Sequence, residues 1–435
     1  MQVVPHLRAR NQIRGGMKVF KFGGASVKDA AGVRNVAEVL KHFSLDDLIV
    51  VVSAMGKTTN ALEEVVWAYT YGRDASAKVD ELESRHLLVL GEVAPDDAAS
   101  RTALEDQFHA LRSILEQPLS QEVDHYYDQI VAFGELWSTL VVSAHLNAAG
   151  ITNGWVDART IIRTDARYRA ANVDWDVSAQ QAHGLLEKAP KKPSRIVTQG
   201  FIGRTKHGST TTLGREGSDF SAAIFAYLLD AESVTIWKDV PGMFNADPNR
   251  FPNTRLLEHI SYKEAIELSY FGASVIHPRT LQPLQRKHIP LYVRSFIDLK
   301  APGSAISEAT DHDTLIPSFI VKPNQLLVSV TPRDLSFIVE ENLGEIFKLF
   351  AKRNVRIDLM QNSAVAFTVA VEDTPRSRAL IEELRNDYEV LYNDGCELVT
   401  VRHFDEPTLA VLTEGKRILI EQRSRATARY VTKAV

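Results

Sequence analysis

RIVTQGFIGRTKHGSTTTLGREGSDFSAAIFAYLLDAESVTIWKDVPGMFNADP, running from Arg195 to Pro248, is the stretch on which the fold turns. Arg195 to Thr198 reads as a short apolar strand that delivers into Gly200 and Gly203. A turn around Gly208 and a run of hydroxyls, Ser209 to Thr212, lead to Leu213-Gly214-Arg215-Glu216-Gly217-Ser218-Asp219. Phe220 to Leu229 then has helix composition and almost no polar residue, which predicts a buried helix. A glycine- and hydroxyl-rich turn feeding a helix N-terminus suits phosphate, because the backbone can approach, free N–H groups point outward and the helix dipole favours negative charge. Ser218 is in addition a good N-cap residue. Taken alone, this pattern fits a capped turn without a ligand better. Val234 to Trp237 changes the balance: it reads as a second buried strand, ending in Lys238-Asp239 and the Pro241-Gly242 turn. Two strand ends with charged loops in one segment point to a ligand crevice at the carboxyl edge of an α/β sheet.

The start of the chain repeats this grammar. Lys18 to Phe22 is β-prone and runs into Gly23-Gly24-Ala25-Ser26-Val27; Asp29 to Lys41 has helical spacing; Leu48 to Val52 is an apolar strand ending in Ser53-Ala54-Met55-Gly56-Lys57-Thr58-Thr59-Asn60. Strand, Gly/Ser turn, helix, strand, Gly/Thr turn is the opening of a parallel sheet with both turns at one edge. Lys21 sits within the first strand, beside glycines that expose backbone N–H groups. Two readings of it stand: a cation neutralising charge on a transferred phosphoryl group, or a snorkelling lysine of an edge strand.

The 435-residue length suggests about two or three domains. With 45% hydrophobic and 24% charged residues the composition is that of a soluble globular protein. A net charge of -5 disfavours nucleic acid as the main partner, and no apolar run approaches membrane-spanning length. The single cysteine, Cys396, excludes an intramolecular disulfide and a Cys-based zinc site and fits a reducing, cytoplasmic setting. Residues 1–16 carry Arg8, Arg10 and Arg14 without an apolar core and read as a disordered extension rather than a secretory signal.

Residues Asn60 to Leu115 are helix-rich, and Asp124 to Ala149 reads as one long helical segment. Glu135 lies there in an otherwise apolar stretch, and such a carboxylate pairs with a cation of either protein or substrate. Strands are expected at Ile151 to Asp157 and at Ile161 to Asp165, where Arg163 would clamp a carboxylate or bridge to Asp157 or Asp165. Beyond Leu326 the order becomes strand, helix (Leu343 to Arg353), two strands (Arg356 to Met360, Ala364 to Val371), helix (Arg376 to Asn386) and strand (Tyr388 to Leu391). That is the ferredoxin-like β-α-β-β-α-β pattern. Leu398 to Val401, Thr408 to Leu412, Arg417 to Glu421 and Ala428 to Val431 read as β-prone, a second unit without helices, whose edge strands could pair across a dimer.

Eight motifs, in one order, now carry a resemblance: KFGGAS at Lys21–Ser26, VSAMGKTTN at Val52–Asn60, FGE at Phe133–Glu135, RTD at Arg163–Asp165, TQGFIG at Thr198–Gly203, TTTLGREGSD at Thr210–Asp219, WKDVPGMFNADP at Trp237–Pro248 and FGASVIHP at Phe271–Pro278. The chain resembles the aspartate kinases of the amino acid kinase superfamily, with a C-terminal ACT region. The resemblance implies an α/β/α sandwich with a mainly parallel sheet over residues 17–306, followed by an α+β ferredoxin-like ACT region over 320–435. It implies transfer of the ATP γ-phosphate to the side-chain carboxylate of L-aspartate, giving 4-phospho-L-aspartate, the first step toward lysine, threonine and methionine.

Carried over, Lys21 and Asp219 are catalytic, and Gly23, Gly24, Ser26 and Ser218 face phosphates, with Mg2+ held mainly through ATP rather than by a metal site of the protein. Lys238, Asp239, Phe244, Asp247, Ser274 and Val275 line the nucleotide, and Ser53, Thr59, Glu135 and Arg163 bind aspartate. No general base is needed, since the attacking carboxylate is ionised near neutral pH. Asp358 and Ser363 match effector contacts, implying lysine or threonine as regulator and a homodimer or larger assembly through the ACT region. The chain departs from many relatives at Ala25, Glu216, Phe244, Ser274 and Ala364, where Thr, Gly, Tyr, Lys and Glu are common. The competing readings are another kinase of the superfamily, which FGE, RTD and the ACT region oppose, and a non-catalytic amino-acid-binding regulator, which retention of Lys21, Glu135, Arg163 and Asp219 opposes.

Overall fold

A computed structural model describes residues 16–43, 47–188, 194–273, 276–334 and 336–435. The chain forms two compact units. Of the described residues, one unit comprises those within Met1–Met243, Leu256–Ile266 and Val275–Thr310, the other those within Phe244–Arg255, Glu267–Ser274 and Asp311–Val435; residues 1–15, read above as part of a disordered extension, lie outside the described residues.

The first unit is built on an eight-stranded sheet. Its spatial order is Gly154–Val156, Ser194–Gln199, Asp47–Val52, Lys18–Phe22, Ser233–Lys238, Leu291–Ser295, Ser304–Ser307, His259–Ser261. From the first of these to Leu291–Ser295 every pairing is parallel, and only Ser304–Ser307 runs against its neighbour Leu291–Ser295. Strands buried on both faces are mainly apolar, as Leu48–Val52 is within Asp47–Val52 and as Val234, Ile236 and Trp237 are within Ser233–Lys238. Register aligns the strand ends: Phe22 lies opposite Val52 and Trp237, and Val52 opposite Gln199. Parallel alignment therefore brings the loops that start at Gly23, Ser53, Gly200 and Asp239 to one edge. Lys18–Phe22 has a parallel neighbour on each side, so Lys21 is not the snorkelling residue of an edge strand.

Helices cover this sheet. Gly217–Leu228 is buried along almost its whole length, as its composition requires. The expected single helix from Asp124 to Ala149 is two, Val123–Val131 and Phe133–Ala148. They meet different surroundings: the first lays Asp128 under the strand Thr210–Thr212, while the second is buried on nearly every side from Phe133 to Leu146. Periodicity over so apolar a stretch does not register a one-residue break. The hydroxyl run Thr210–Thr212 is itself a strand, joined to Ile202–Thr205 and Arg163–Thr164 in a separate three-stranded sheet.

The second unit carries a six-stranded antiparallel sheet in the order Ile357–Asn362, Phe367–Glu372, Ser318–Pro332, Tyr388–Arg402, Thr427–Ala434, Lys416–Arg423. Helices Glu340–Lys352 and Pro375–Leu384 pack on it, and Phe350, Leu380, Ile381 and Leu384 share one core with Val328 and Val369. The expected β-α-β-β-α-β order is present. Thr408 to Leu412, read as β-prone, belongs instead to a helix, Glu406–Thr413. Its start is fixed by Asp405, whose side chain accepts the Thr408 N–H at 2.8 Å, and by Pro407 in the first turn, and it buries Leu409 and Leu412. Capping and two well-spaced leucines outweigh strand propensity there.

Candidate active site

Lys21 is buried at the middle of the parallel sheet, and its Nζ lies 2.6 Å from Asp219 Oδ1, with the two side chains 10% and 5% exposed. Asp219 occupies the first turn of Gly217–Leu228, where a carboxylate gains from the helix dipole. Lys238, the last residue of its strand, brings a second ammonium to 3.9 Å from Asp219 Oδ2. Three elements distant in sequence thus place two cations and one anion together.

Close backbone approach holds these loops. A Cβ at Gly24 would stand 2.7 Å from the Ala54 carbonyl and 2.8 Å from that of Gly56, so only glycine lets the first loop touch the second, where Gly56 N–H donates to Gly24 O at 3.0 Å. At Gly200 a Cβ would meet the Ser218 Cβ at 2.5 Å, which seats the phosphate-type turn directly on the strand end.

Glu135 stands on Phe133–Ala148 with 3% exposure. Its Oε1 accepts the Ala54 N–H at 3.3 Å, and its Oε2 is buried without a hydrogen-bond partner among the described residues. Burial pushes its pKa up to about 8, against the downward pull of the Ala54 N–H and of the Lys21 charge. A desolvated carboxyl with an unused oxygen is built to receive a cation.

A cavity of about 580 Å³ joins these groups. Lys21, Gly24, Ser53, Thr59, Glu135, Ser218, Asp219 and Lys238, all expected from the sequence, line it. Arg163 does not. Its strand pairs with Ile202–Thr205, outside the central sheet, and its side chain lines a second cavity, of about 870 Å³, with Asp165, Asp174 and Arg204. Gly23 adjoins Lys21, whose Nζ a Cβ there would meet at 3.4 Å, while Ser26 is buried in the short turn Gly24–Val27 and Asp239 is exposed. Phe244 and Asp247 belong to the second unit, where Asp247 accepts the Asn249 N–H at 2.9 Å. Ser274 and Val275 lie outside the described residues.

Among the other lining residues, Tyr127, Arg169, Arg215 and Glu216 bring polar or charged side chains that were not singled out as ligands. Arg169 has a φ of 64°, and its N–H is held by the buried Asp128 at 3.0 Å, which also accepts from Thr212 N and Oγ1. Burial raises the Asp128 pKa to about 6 despite these donors. The Arg169 guanidinium lies 4.0 Å over the Tyr127 ring, and the Tyr127 hydroxyl donates to Glu63 at 2.7 Å. Arg215 is exposed at the cavity mouth. Glu216 has a φ of 53°, a region that favours glycine, and its Oε2 is buried with no partner among the described residues. The signal for Arg215 and Glu216 was present in GREGSD; Arg169 had none.

Among the described residues no group of three or more His, Cys, Asp or Glu is placed to hold a metal ion. A divalent ion fits this lining as the companion of phosphate oxygens, with Glu216 Oε2 as a spare protein ligand.

In the second unit, Asp358 is occupied: Lys322 Nζ lies 2.7 Å from its Oδ1. Ser363 Oγ is used locally, accepting the Ala366 N–H at 3.1 Å.

Comparison with known proteins identifies the family. The amino acid kinase family model matches residues 16–295. The chain is 31% identical over 393 residues to lysine-sensitive aspartokinase 3 of Escherichia coli (strain K12), covering 88% of this chain and 86% of that protein. It is 35% identical over 310 residues to the chloroplastic bifunctional aspartokinase/homoserine dehydrogenase of Daucus carota, of whose length it spans 33%. Solved structures of E. coli aspartokinase III match with a TM-score of 0.81 at 29% identity for the complex with lysine and aspartate, over 95% of each chain. For the complex with aspartate and ADP the TM-score is 0.77 at 27% identity, over 96% of each chain. The chain belongs to the amino acid kinase family and, within it, to the aspartokinases.

Proposed function

We propose that this protein transfers the γ-phosphoryl group of ATP to the side-chain carboxylate of L-aspartate, giving 4-phospho-L-aspartate and ADP. The observation that carries the reading is one cavity lined by the Lys21–Asp219 pair at 2.6 Å and by Glu135 with its orphan carboxylate oxygen. The E. coli structure with aspartate and ADP supports the choice of substrate and nucleotide.

In this reading the aspartate ammonium settles on Glu135, with Ser53 and Thr59 beside it. The α-carboxylate is held by a guanidinium of the cavity's own lining, Arg215, in place of Arg163. The loops at Gly23, Gly24 and Ser26 take the phosphates with the first turn of Gly217–Leu228, in which Ser218 lies inside the helix and Glu216, not Ser218, holds the N-cap position. A side-chain carboxylate oxygen attacks the γ-phosphorus as the bond to the β-phosphate bridging oxygen breaks, and that electron pair leaves on ADP. No proton is transferred. Lys21, held in line by Asp219, and Lys238 neutralise charge on the moving group, so rate comes from positioning and preorganised cations. Mg2+ bound to ATP would add charge neutralisation, with Glu216 and Asp219 as the lining carboxylates available to it. Asp358 and Ser363 remain the proposed effector contacts; a lysine effector there must compete with the Lys322 ammonium already on Asp358. Assembly through the second unit, which carries the six-stranded antiparallel sheet, is proposed on the same footing.

Trapping the product with hydroxylamine tests the reading. Aspartyl hydroxamate should form with ATP and aspartate, and its absence under every divalent-metal condition would remove it.

A further inference from the structure

The second unit contains a basic recess of about 660 Å³ that shares no residue with the kinase cavity. It forms where the hairpin Lys416–Arg423/Thr427–Ala434 meets the strand Ile357–Asn362, which lies at the opposite end of the sheet order. Gln422 Nε2 donates to the Met360 carbonyl at 2.6 Å and Arg429 Nη2 to that of Asp358 at 2.6 Å, tying the two together.

Three arginines line the recess, and their partners differ. Arg402, 9% exposed, donates from Nη1 to Thr427 Oγ1 at 2.8 Å and lies 3.6 Å from Glu267 Oε2. Arg423 is met by Glu421 at 2.5 Å and Glu406 at 3.2 Å. Arg429 is half-buried, with its guanidinium 4.9 Å over the Phe271 ring, and its other hydrogen bond runs from Nε to Thr400 Oγ1 at 3.3 Å. Both its acceptors are neutral, and among the described residues no carboxylate lies within ion-pair distance of it. Burial lowers its pKa from the usual arginine range, against the upward pull of Tyr270 and the Asp358 charge. Leaving a partly buried guanidinium without a carboxylate in contact is costly. Its fork of five donors, two of them in use, matches the paired oxygens of a carboxylate or phosphate. The lining carboxylates, Glu267 and Glu421, each face another arginine, and Glu406 also meets Arg423, so none of the three is paired with Arg429.

We propose that this recess is a binding site for a small anion, a carboxylate or phosphoryl group that docks on Arg429 with Arg402 beside it. A bound anion would strengthen the junction between the C-terminal hairpin and the Ile357–Asn362 strand. The site is independent of the kinase reading.

Calorimetry on the full chain tests it with succinate and inorganic phosphate as separate probes and L-lysine as a cationic comparison. A Lys21→Met background removes the kinase-cavity lysine from the measurement. Succinate or phosphate should bind, the tighter probe identifying the carboxylate or phosphoryl source, and Arg429→Met should weaken that probe by about tenfold or more, equal to about 1.4 kcal/mol. Arg429→Lys keeps the charge and loses the fork, so it should also bind more weakly, and it serves if the methionine variant does not fold. Failure of both probes to bind, or equal binding by wild type and Arg429→Lys, overturns the proposal. Loss of binding in Lys21→Met with Arg429 intact would assign the anion to the kinase cavity and overturn it as well.

Discussion

Replacing Glu135 by glutamine perturbs the substrate end of the cavity while keeping its shape. The side chain is 3% exposed, with one oxygen on the Ala54 N–H and the other free. If that oxygen receives the aspartate ammonium, the variant leaves a buried cation unpaired, which costs about 3–5 kcal/mol. At about 1.4 kcal/mol per factor of ten, the KM for aspartate should rise by roughly two to three and a half powers of ten. The KM for ATP should hold. A pH signature accompanies this. With its pKa at about 8 in the empty cavity, Glu135 is mostly protonated at neutral pH, and ammonium binding must displace that proton. The wild-type aspartate KM should therefore fall by about tenfold per pH unit on approaching pH 8 and level off above it, a dependence that the glutamine variant lacks. Stability follows the same sign. The folded-state value lies above the free-carboxyl value of 4.5, so the contribution is present in acid and lost as pH rises through about 8. Glu135→Gln should thus gain melting temperature relative to wild type between neutral and alkaline pH. A coupled ADP-release assay across pH reads the kinetics, and thermal scans read the stability. An aspartate KM that is unchanged in the variant, or flat with pH in wild type, would refute the assignment.

Lys21→Met removes the nearer of the two cations on Asp219, so turnover should vanish while circular dichroism stays native; loss of structure would make Lys21 architectural. Arg215→Met should raise the aspartate KM and Arg163→Met should not, because of these two Arg215 alone lines the cavity; steady-state kinetics reversing that order would restore Arg163 as the clamp. Glu216→Gly relieves a left-handed backbone, worth roughly 1–2 kcal/mol, and frees the protein of a buried orphan oxygen, so the melting temperature should rise by a few degrees. The same variant should bind Mg-ATP more weakly if Glu216 serves the metal, which calorimetry measures separately.

Much of the site could be read from the sequence because the relevant residues follow strand ends. Lys21, Ser53 and Lys238 each sit at or beside the end of an apolar strand, and parallel pairing carries such ends to one edge, while Ser218 was marked by the Gly-rich turn before a buried helix. Arg163 also ends an expected strand, but a two-residue strand does not announce which sheet it joins, and this one joined the small sheet with Ile202–Thr205. Arg169 was not legible, since its place depends on a positive φ held by Asp128, contributed from 41 positions earlier in the chain. The helix Glu406–Thr413 was hidden for a different reason: Val411 and Thr408 lend the stretch strand character, and the Asp405 cap decides against it.

The most direct measurement is hydroxamate formation by the purified full chain with ATP, Mg2+ and either L-aspartate or L-glutamate. Aspartate should give product, glutamate little, and Lys21→Met none with either. Product formed equally from both amino acids, or undiminished in Lys21→Met, would contradict a cavity in which Glu135, Lys21 and Asp219 act on aspartate together.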